Sequence, residues 1–238
     1  LYMFFEMMSI MTVPLVIHSR TKEAIAAGMK YLGYSIFGAG FGLFGLFFLN
    51  RFAGGNLIFQ PGGVLNPSLV EGHETLVLVV TLIMIIGFGA KAGMIPLQAW
   101  LQTAHPVAPA PASAVLSGII TKAGVLAIIR VIFYQVGTDM LRGTWVQYML
   151  IILALTTVFV GSMLAFKEKL LKKRLAYSSV SQVSYVLFGL FLMTPASVEG
   201  ALLQVVFHAI AKNILFLCAG AIIYKTHKTY VYELRGIG

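Results

Sequence analysis

Long runs of apolar residues alternate with short polar connections along the whole chain. Each run is close to the ~20 residues that a helix needs to cross the hydrocarbon core of a bilayer. No run has the period-two alternation of a transmembrane barrel strand, so we expect an all-α integral membrane protein. The sequence predicts seven transmembrane helices: Leu1–Ile17, Met29–Leu49, Thr75–Thr103, Ala110–Phe133, Trp145–Phe166, Leu175–Met193 and Ala201–Tyr224.

The composition supports this prediction. Hydrophobic residues make up 59% of the chain and charged residues only 11%, whereas soluble domains average about 25% charged residues. We expect one membrane domain over residues 1–238, as an internal piece of a longer transporter subunit. The net charge of +9 raises the question of a nucleic-acid partner, which the distribution of the charges answers.

Lysine and arginine residues are distributed unevenly between the two ends of the predicted helices. Connections after odd-numbered helices carry eleven of the seventeen: Arg20, Lys22, Lys30, Lys167, Lys169, Lys172, Lys173, Arg174, Lys225, Lys228 and Arg235. Connections after even-numbered helices carry three: Arg51, Arg130 and Arg142. Cytoplasmic loops are enriched in Lys and Arg. We therefore expect a multi-pass protein of the cell's inner (plasma) membrane, N-terminal end outside and C-terminal end cytoplasmic, with its basic loops facing anionic lipid and no nucleic acid.

Three lysines, Lys91, Lys122 and Lys212, lie near the centres of apolar runs. A cation at the bilayer centre costs roughly 2.5 kcal/mol or more, and such a residue by default marks an ion or proton pathway. The Lys91 run also contains Gly93 and Pro96, which weaken and interrupt a helix. A plain proline kink is the alternative, but helices broken at membrane depth occur at transporter ion sites. The nearby lysine favours a functional break.

Two more ionisable residues are predicted at membrane depth, Glu6 and His208. Glu6 is the candidate counter-ion of Lys91, so that a salt bridge which forms and breaks would bind and release a proton. His208 and Lys212 are four residues apart on one helix face, and Gln204 lies one turn earlier. Histidine both donates and accepts protons, so we favour a relay over a packed, hydrogen-bonded histidine. Gln182 and Gln204 are candidate walls of a water path.

The sequence lacks the motifs of nucleotide hydrolysis and of intramembrane proteolysis. There is no Gly-rich phosphate loop and no His-Glu-x-x-His motif. The single cysteine, Cys218, excludes an internal disulfide and a cysteine-ligated cluster. His105 is expected in a Pro-rich turn near the interface, with a structural role. We expect no cofactor and no metal in this chain.

Several stretches together resemble one family, the antiporter-like proton-translocating subunits of respiratory complex I, Mrp-type cation/proton antiporters and energy-converting hydrogenases. The resemblance covers nearly the whole chain, with these stretches in the family's order: Phe4–Met8, Gly89–Leu97, His105–Ala114, Ile120–Gly124, Lys173–Gln182 and Phe207–Lys212.

The resemblance implies that the chain corresponds to helices five to eleven of a fourteen-helix, inverted-repeat bundle. It also implies that Glu6 pairs with Lys91 at the broken helix, that Lys122 follows on the path, and that His208 and Lys212 form the central relay. The resulting hypothesis is proton translocation coupled to electron transfer in partner subunits, which would hold the flavin, Fe–S or NiFe cofactors. A subunit of an Mrp-type Na⁺/H⁺ antiporter is the first alternative, and a non-transporting membrane scaffold is the second.

Overall fold

The computed structural model describes residues 2–55 and 58–236, which are mostly helical. The predicted ends at Leu1 and at residues 237–238, and residues 56–57 of the longest connection, lie outside the described residues. The α-helices of the described part, numbered in chain order, are α1 Tyr2–Val16, α2 Lys22–Phe52, α3 Pro67–Val70, α4 Glu74–Ala92, α5 Leu101–Val107, α6 Ala110–Val115, α7 Thr121–Arg130, α8 Thr138–Leu141, α9 Trp145–Lys167, α10 Leu171–Leu192 and α11 Pro195–Thr226.

Six helical stretches in the described residues are long and apolar enough to cross a membrane: Lys22–Phe52, Glu74–Ala92, Ala110–Val136, Trp145–Lys167, Leu171–Leu192 and Pro195–Thr226. Helix α1 is apolar but shorter. The all-α membrane fold is therefore confirmed, and the count of seven is approximate. Several helices extend beyond the predicted bounds; α11, for example, begins at Pro195 and not at Ala201.

The span that starts at Ala110 is not a uniform α-helix. Between α6 and α7 the backbone forms a π-helical turn at Leu116–Ile120, and a second π-helical turn, Val131–Val136, follows α7. The chain before it also differs from the prediction. The Pro-rich turn expected at His105 is helical as far as Val107, and only Ala108 and Pro109 separate α5 from α6.

Loops of like charge cluster at the same end of the bundle. Leu171 donates its backbone N–H to Thr229, and Val231 donates to Lys169, so the connection before α10 pairs with the segment after α11. Lys172 donates to the carbonyl of Ala108 at 2.8 Å. We call this the basic end. At the opposite end, called the loop end, the long connection pairs with the π-helical turn after α7, where Gly62 donates to Phe133.

The helices that carry Lys91 and Lys122 form the centre of the bundle. Residues are buried over 67% of the apolar window of α4 and 61% of that of the Ala110–Val136 span, but over only 22% of that of α11. Small residues let α2 approach α4 closely, since a Cβ on Gly38 would lie 2.4 Å from the carbonyl oxygen of Gly87. The central lysines are thereby removed from the lipid-facing surface.

Candidate functional site

The predicted helix break is present, and it begins at Gly93. Helix α4 ends at Ala92, and Gly93 has φ +87°, a left-handed conformation that favours glycine. A Cβ there would also lie 2.3 Å from Cδ1 of Leu101. Pro96 lies within the turn that follows, before the chain becomes helical again at Gln98. The sequence therefore located the break, while the left-handed glycine sets where α4 stops.

Backbone groups freed by the break find partners in neighbouring side chains. The indole Nε1 of Trp100 donates to the carbonyl of Ala90 at 2.8 Å, and the N–H of Ile95 donates to Oγ1 of Thr157 in α9 at 3.2 Å. An unpaired buried polar group costs about 1–3 kcal/mol. These two contacts remove that cost and hold the break against α9.

Lys91 lies in the last turn of α4 and is 1% exposed. Its Nζ donates to the carbonyl of Phe5 at 3.0 Å and to the hydroxyl of Ser9. It also lies 4.1 Å from the centroid of the Phe5 ring, a cation–π contact. The direct contacts of this ammonium with helix α1 are therefore all with uncharged groups.

The expected contact between Glu6 and Lys91 is not made. Glu6 is half-buried, and its Oε1 accepts a hydrogen bond from the hydroxyl of Tyr2 at 2.9 Å. Residues 5 and 9 lie on one face of α1, and residue 6 is rotated about 100° from residue 5, so Lys91 meets the Phe5–Ser9 face. The one salt bridge among the described residues joins Lys173 to Glu168, with an N–O distance of 2.8 Å. A salt-bridge switch at Glu6 stays a prediction that needs a second conformation.

Lys122 owes its position to the π-helical turn before it. The N–H of Thr121 bonds to the carbonyl of Leu116, five residues back, in place of Ser117 four residues back. The carbonyl of Ser117 is thus free of its usual backbone donor, and it accepts from the hydroxyl of Thr121 and from Nζ of Lys122. Such turns are rare and often occur at functional sites. Nothing in the sequence of Leu116–Ile120 predicted this π-helical turn.

Lys122 is joined to α11 by a direct contact with His208. Its Nζ lies 2.8 Å from Nδ1 of the histidine, and His208 is 4% exposed. A lysine ammonium can donate only to an Nδ1 that carries no hydrogen, whereas a neutral amine can accept from a protonated one. The two nitrogens are therefore arranged to share a single proton.

Lys212 lies one turn along α11 from His208 and is 3% exposed. Its Nζ donates to the carbonyl of Leu175 at 3.1 Å and to the hydroxyl of Ser178, both on α10. One turn in the other direction, Nε2 of Gln204 donates to Oε1 of Gln182 at 2.8 Å. The structure thus brings the predicted Gln204–His208–Lys212 face against α7 and α10.

His105 is the residue that sequence reasoning placed wrongly. It lies inside α5 with no exposed surface, and its ring stacks on Phe216 of α11 with centroids 4.7 Å apart. Neither ring nitrogen has a hydrogen-bond partner among the described residues. Lys212, Lys172 and Lys122 all lie within electrostatic range of the ring. A buried imidazole among three lysines is a candidate member of the site.

A cavity of about 220 Å³ approaches Lys91 from the loop end. Arg130 and Gln135 line it near the loop, and Phe5 and Phe88 line its inner part. The two phenyl rings are in edge contact, with centroids 5.2 Å apart. Because the ring of Phe5 also contacts Nζ of Lys91, this ring separates the cavity from the ammonium.

Within residues 2–55 and 58–236, no group of three or more His, Cys, Asp or Glu side chains is arranged to hold a metal ion. What the site offers is buried amines and an imidazole in hydrogen-bonding contact with hydroxyls and carbonyls. Groups of this kind can take up and pass on protons.

Known proteins of related sequence include a component of a hydrogenase and a subunit of an NADH-quinone oxidoreductase. The chain is 34% identical to hydrogenase-4 component B of Escherichia coli, over 94% of this chain and 34% of that protein. It is 30% identical to NADH-quinone oxidoreductase subunit N of Desulforudis audaxviator, over 100% of this chain and 46% of that protein. The chain therefore spans between a third and a half of the length of these relatives.

Solved structures of the same fold include a chain of the archaeal membrane-bound sulfane sulfur reductase, with a TM-score of 0.82 and 27% identity over 99% of this chain and 47% of that one. A chain of the Mrp complex from Dietzia has a TM-score of 0.77 and 24% identity over 93% and 40%, which supports the fold alone. A family profile described as NADH:quinone oxidoreductase/Mrp antiporter, transmembrane, matches residues 1–237. The chain belongs to this NADH:quinone oxidoreductase/Mrp antiporter family of membrane subunits.

Proposed function

We propose that this chain translocates protons across the membrane through Lys91, Lys122, His208 and Lys212, as part of a larger subunit driven by electron transfer in partner subunits. The observation that carries the proposal is the contact of 2.8 Å between Nζ of Lys122 and Nδ1 of His208. A relay requires titratable groups on separate helices that can share a proton, and here His208 is buried and Lys122 half-buried.

Depth in the membrane supports the same function. Lys122 and Lys212 lie 12 to 17 residues from both ends of their spans, and Lys91 lies 17 residues from the start of α4, just before the helix break. At ~1.5 Å per residue these distances correspond to positions near the bilayer centre. Hydrogen bonds to carbonyls and hydroxyls stabilise each ammonium, and none of these partners is a carboxylate that would keep the amine protonated. His105 is a further candidate group for the relay, because Lys212, Lys172 and Lys122 lie within electrostatic range of its ring.

Glu6 has a conditional role in this proposal. Its carboxylate belongs to the residue after Phe5, whose carbonyl holds Lys91. A small rotation of α1 that exchanged the Phe5–Ser9 face for Glu6 would place a negative charge beside the ammonium and favour its protonated form. Return to the present arrangement would favour release of the proton.

The orientation is also proposed. The basic end carries the loops rich in Lys and Arg, so we assign it to the cytoplasmic side and the loop end to the outside. Partners would be other membrane subunits of a respiratory or hydrogenase complex, and redox cofactors would belong to those partners. Relatives of both kinds are similar to this chain.

Replacement of Lys91 by alanine in the full-length subunit tests the function. The variant is assembled with its partner subunits, reconstituted into vesicles, and assayed for proton uptake with a pH-sensitive dye. We expect proton flux to fall at least tenfold, because the broken helix loses its titratable group. The matched control is Lys225→Ala, which removes an exposed lysine at the end of α11. Full flux in Lys91→Ala would overturn the proposal and favour a scaffold.

A second candidate function is cation/proton exchange in an Mrp-type antiporter, and the description of the matching family, which includes the Mrp antiporters, favours it. Dependence of the proton flux on sodium separates the two. Redox-driven pumping predicts flux without sodium, and the antiporter predicts flux that sodium gradients drive.

A further inference from the structure

Gly118, in the middle of the π-helical turn at Leu116–Ile120, lies directly against α11. A Cβ added to Gly118 would be 2.8 Å from both Cγ and Nδ2 of Asn213, closer than a Cβ comes to another residue in real proteins. Gly118 is buried and Asn213 is half-buried. Because protein interiors are closely packed, the side-chain amide of Asn213 takes the space that any side chain at position 118 would need.

The same π-helical turn contacts α10 through the residue before Gly118. Oγ of Ser117 lies 2.7 Å from Oγ of Ser179, and both side chains are fully buried. Successive residues of the turn thus contact α10 by a hydrogen bond and α11 by the packing of an amide. The turn is therefore held between two helices, and its distance from α11 depends on the volume of Asn213.

Helix α11 is lightly packed against the rest of the described chain, since only 22% of its apolar window is buried. One contact that holds it is the stacking of Phe216 on His105. The contact of Asn213 with Gly118 lies closer to the candidate relay. Asn213 is five residues from His208 along α11, and Gly118 is four residues before Lys122. A change of volume at this contact should therefore displace α11 near His208.

The contact between Lys122 and His208 is sensitive to such a displacement. Nζ of Lys122 lies 2.8 Å from Nδ1 of His208 and also donates to the carbonyl of Ser117, which belongs to the π-helical turn. A separation beyond about 3.5 Å no longer makes a hydrogen bond. A shift of about 1 Å between α11 and the turn would therefore break the contact.

We propose that Asn213 is a positioning residue for proton transfer, which packs against Gly118 and holds α11 at the distance where Lys122 and His208 are in contact. This inference rests on the proposed function. Asn213 does not carry the proton itself, because a carboxamide has no group that titrates. It acts by its volume, so a change of volume on one side of the contact should be corrected by the opposite change on the other side.

An exchange of volume across the contact tests this inference. Gly118→Ala, Asn213→Ala and the double variant are made in the full-length subunit, and proton flux per assembled complex is measured in vesicles. We expect Gly118→Ala to lose flux severalfold, because the new methyl group pushes α11 away. The double variant should return to within about twofold of the parent, because this methyl group then occupies the space that the amide leaves. The matched control is Gly40→Ala, where no atom lies within 4 Å of the added methyl group.

The distance between the two helices is measured independently of flux. In a subunit with Cys218→Ser and no other cysteine, spin labels are attached to Leu126→Cys on α7 and Leu215→Cys on α11, both exposed positions. Pulsed electron paramagnetic resonance of the assembled complex should show a longer distance in Gly118→Ala than in the parent. The distance should return in the double variant and stay unchanged in Gly40→Ala. A general loss of stability would not produce this return.

Asn213→Leu provides a second route if Gly118→Ala does not assemble. Leucine has nearly the branched shape of asparagine, so this variant should keep at least half of the parent flux, whereas Asn213→Ala alone should lose about two- to threefold. Equal flux in these two variants would overturn the positioning role.

Three other results would also overturn the positioning role: full flux in Gly118→Ala, a double variant as impaired as Gly118→Ala, or flux loss in Gly118→Ala without a change in the label distance. Any of these, in a complex that loses flux with Lys91→Ala, would leave the proposed function standing. Full flux in Lys91→Ala would overturn both.

Discussion

Lys91 is buried and Lys122 is half-buried, both within apolar helical spans, but their surroundings differ in kind. Lys91 is held by a carbonyl, a hydroxyl and a phenyl ring of α1, none of which can take its proton at neutral pH. Lys122 is held by a carbonyl of its own span and by the imidazole of His208. Only the second lysine has a partner that can itself be protonated.

This difference teaches how one residue type can serve two purposes. At Lys122 the proton has somewhere to go without movement of the backbone, so the Lys122–His208 pair can act as a relay. At Lys91 the current hydrogen-bond partners are uncharged. Proton exchange there therefore requires α1 to move and bring a different side chain to the ammonium. The Lys91 site is suited to sensing conformation and the Lys122 site to transfer.

Replacement of His208 by glutamine is expected to have the largest effect, and it tests whether the partner of Lys122 must carry a proton. Glutamine can still accept a hydrogen bond from Lys122, but it cannot carry a proton. We expect proton flux to fall at least tenfold in the reconstituted complex if His208 is a carrier. The matched control is His18→Gln, at an exposed position after α1. Flux above half of the parent value in His208→Gln would reduce His208 to a hydrogen-bond acceptor.

Gly93→Ala is expected to have the next largest effect, and it acts on the Lys91 side. The φ of +87° and the contact with Leu101 together imply a cost of order 1–3 kcal/mol for a side chain there. We expect a lower thermal unfolding temperature of the complex and a severalfold loss of flux, because the end of α4 must shift and moves Lys91. Gly200→Ala, with open space around the added methyl group, serves as the control. Equal stability of the two variants would contradict the account of the break.

Ser9→Ala should have a smaller effect. It removes one acceptor of Lys91 but leaves the carbonyl of Phe5 in place, and a hydrogen bond to a charged group is worth about 1.5–3 kcal/mol. The amine then loses its proton more readily, so we expect the pH profile of the flux to shift to lower pH with at most a severalfold change in maximal rate. Ser35→Ala, whose buried hydroxyl has no partner in the described residues, should leave the profile unchanged. An unshifted profile in Ser9→Ala would show that the hydroxyl does not bear on the protonation of Lys91.

Glu168→Gln is expected to have the smallest effect, and it is confined to the basic end. Burial raises the pKa of Glu168, but hydrogen bonds from Lys173 and from the N–H groups of Leu170 and Lys169 outweigh it, so the pKa lies below its ordinary value of 4.5. The stabilisation is therefore complete above pH 4.5 and is lost as the pH falls through the lower folded-state value. Hydrogen exchange at Leu171 and Val231 should increase in the variant at neutral pH and match the parent at low pH. A difference that persists at low pH would contradict this assignment.

The sequence predicted those parts of the site that depend on local chemistry. Gly93 and Pro96 predicted the helix break because each residue destabilises the helical turn in which it lies. Lys91, Lys122 and Lys212 revealed their depth because a cation in an apolar run is conspicuous. The chemical roles of these residues, and of Gln182 and Gln204 as walls of a water path, stay predictions.

The features that the sequence did not reveal depend on packing between helices. The π-helical turn at Leu116–Ile120 has no distinguishing residues, yet it frees the carbonyl that binds Lys122. His105 was expected in a turn near the interface because of its neighbouring prolines, but helix continues through Pro106 and buries the ring. The pairing of Glu6 with Lys91, expected from charge and from the resemblance, stays a prediction, because rotation about α1 decides which residue Lys91 contacts.

The Lys122–His208 relay is tested most directly by a double-mutant cycle of proton flux in the reconstituted full-length complex, with Lys122→Ala, His208→Ala and the double variant. If the two groups share one proton, each single variant should lose flux at least tenfold and the double variant should lose no more than the worse single one. Losses that multiply in the double variant would contradict the account, because they would show two residues that act independently.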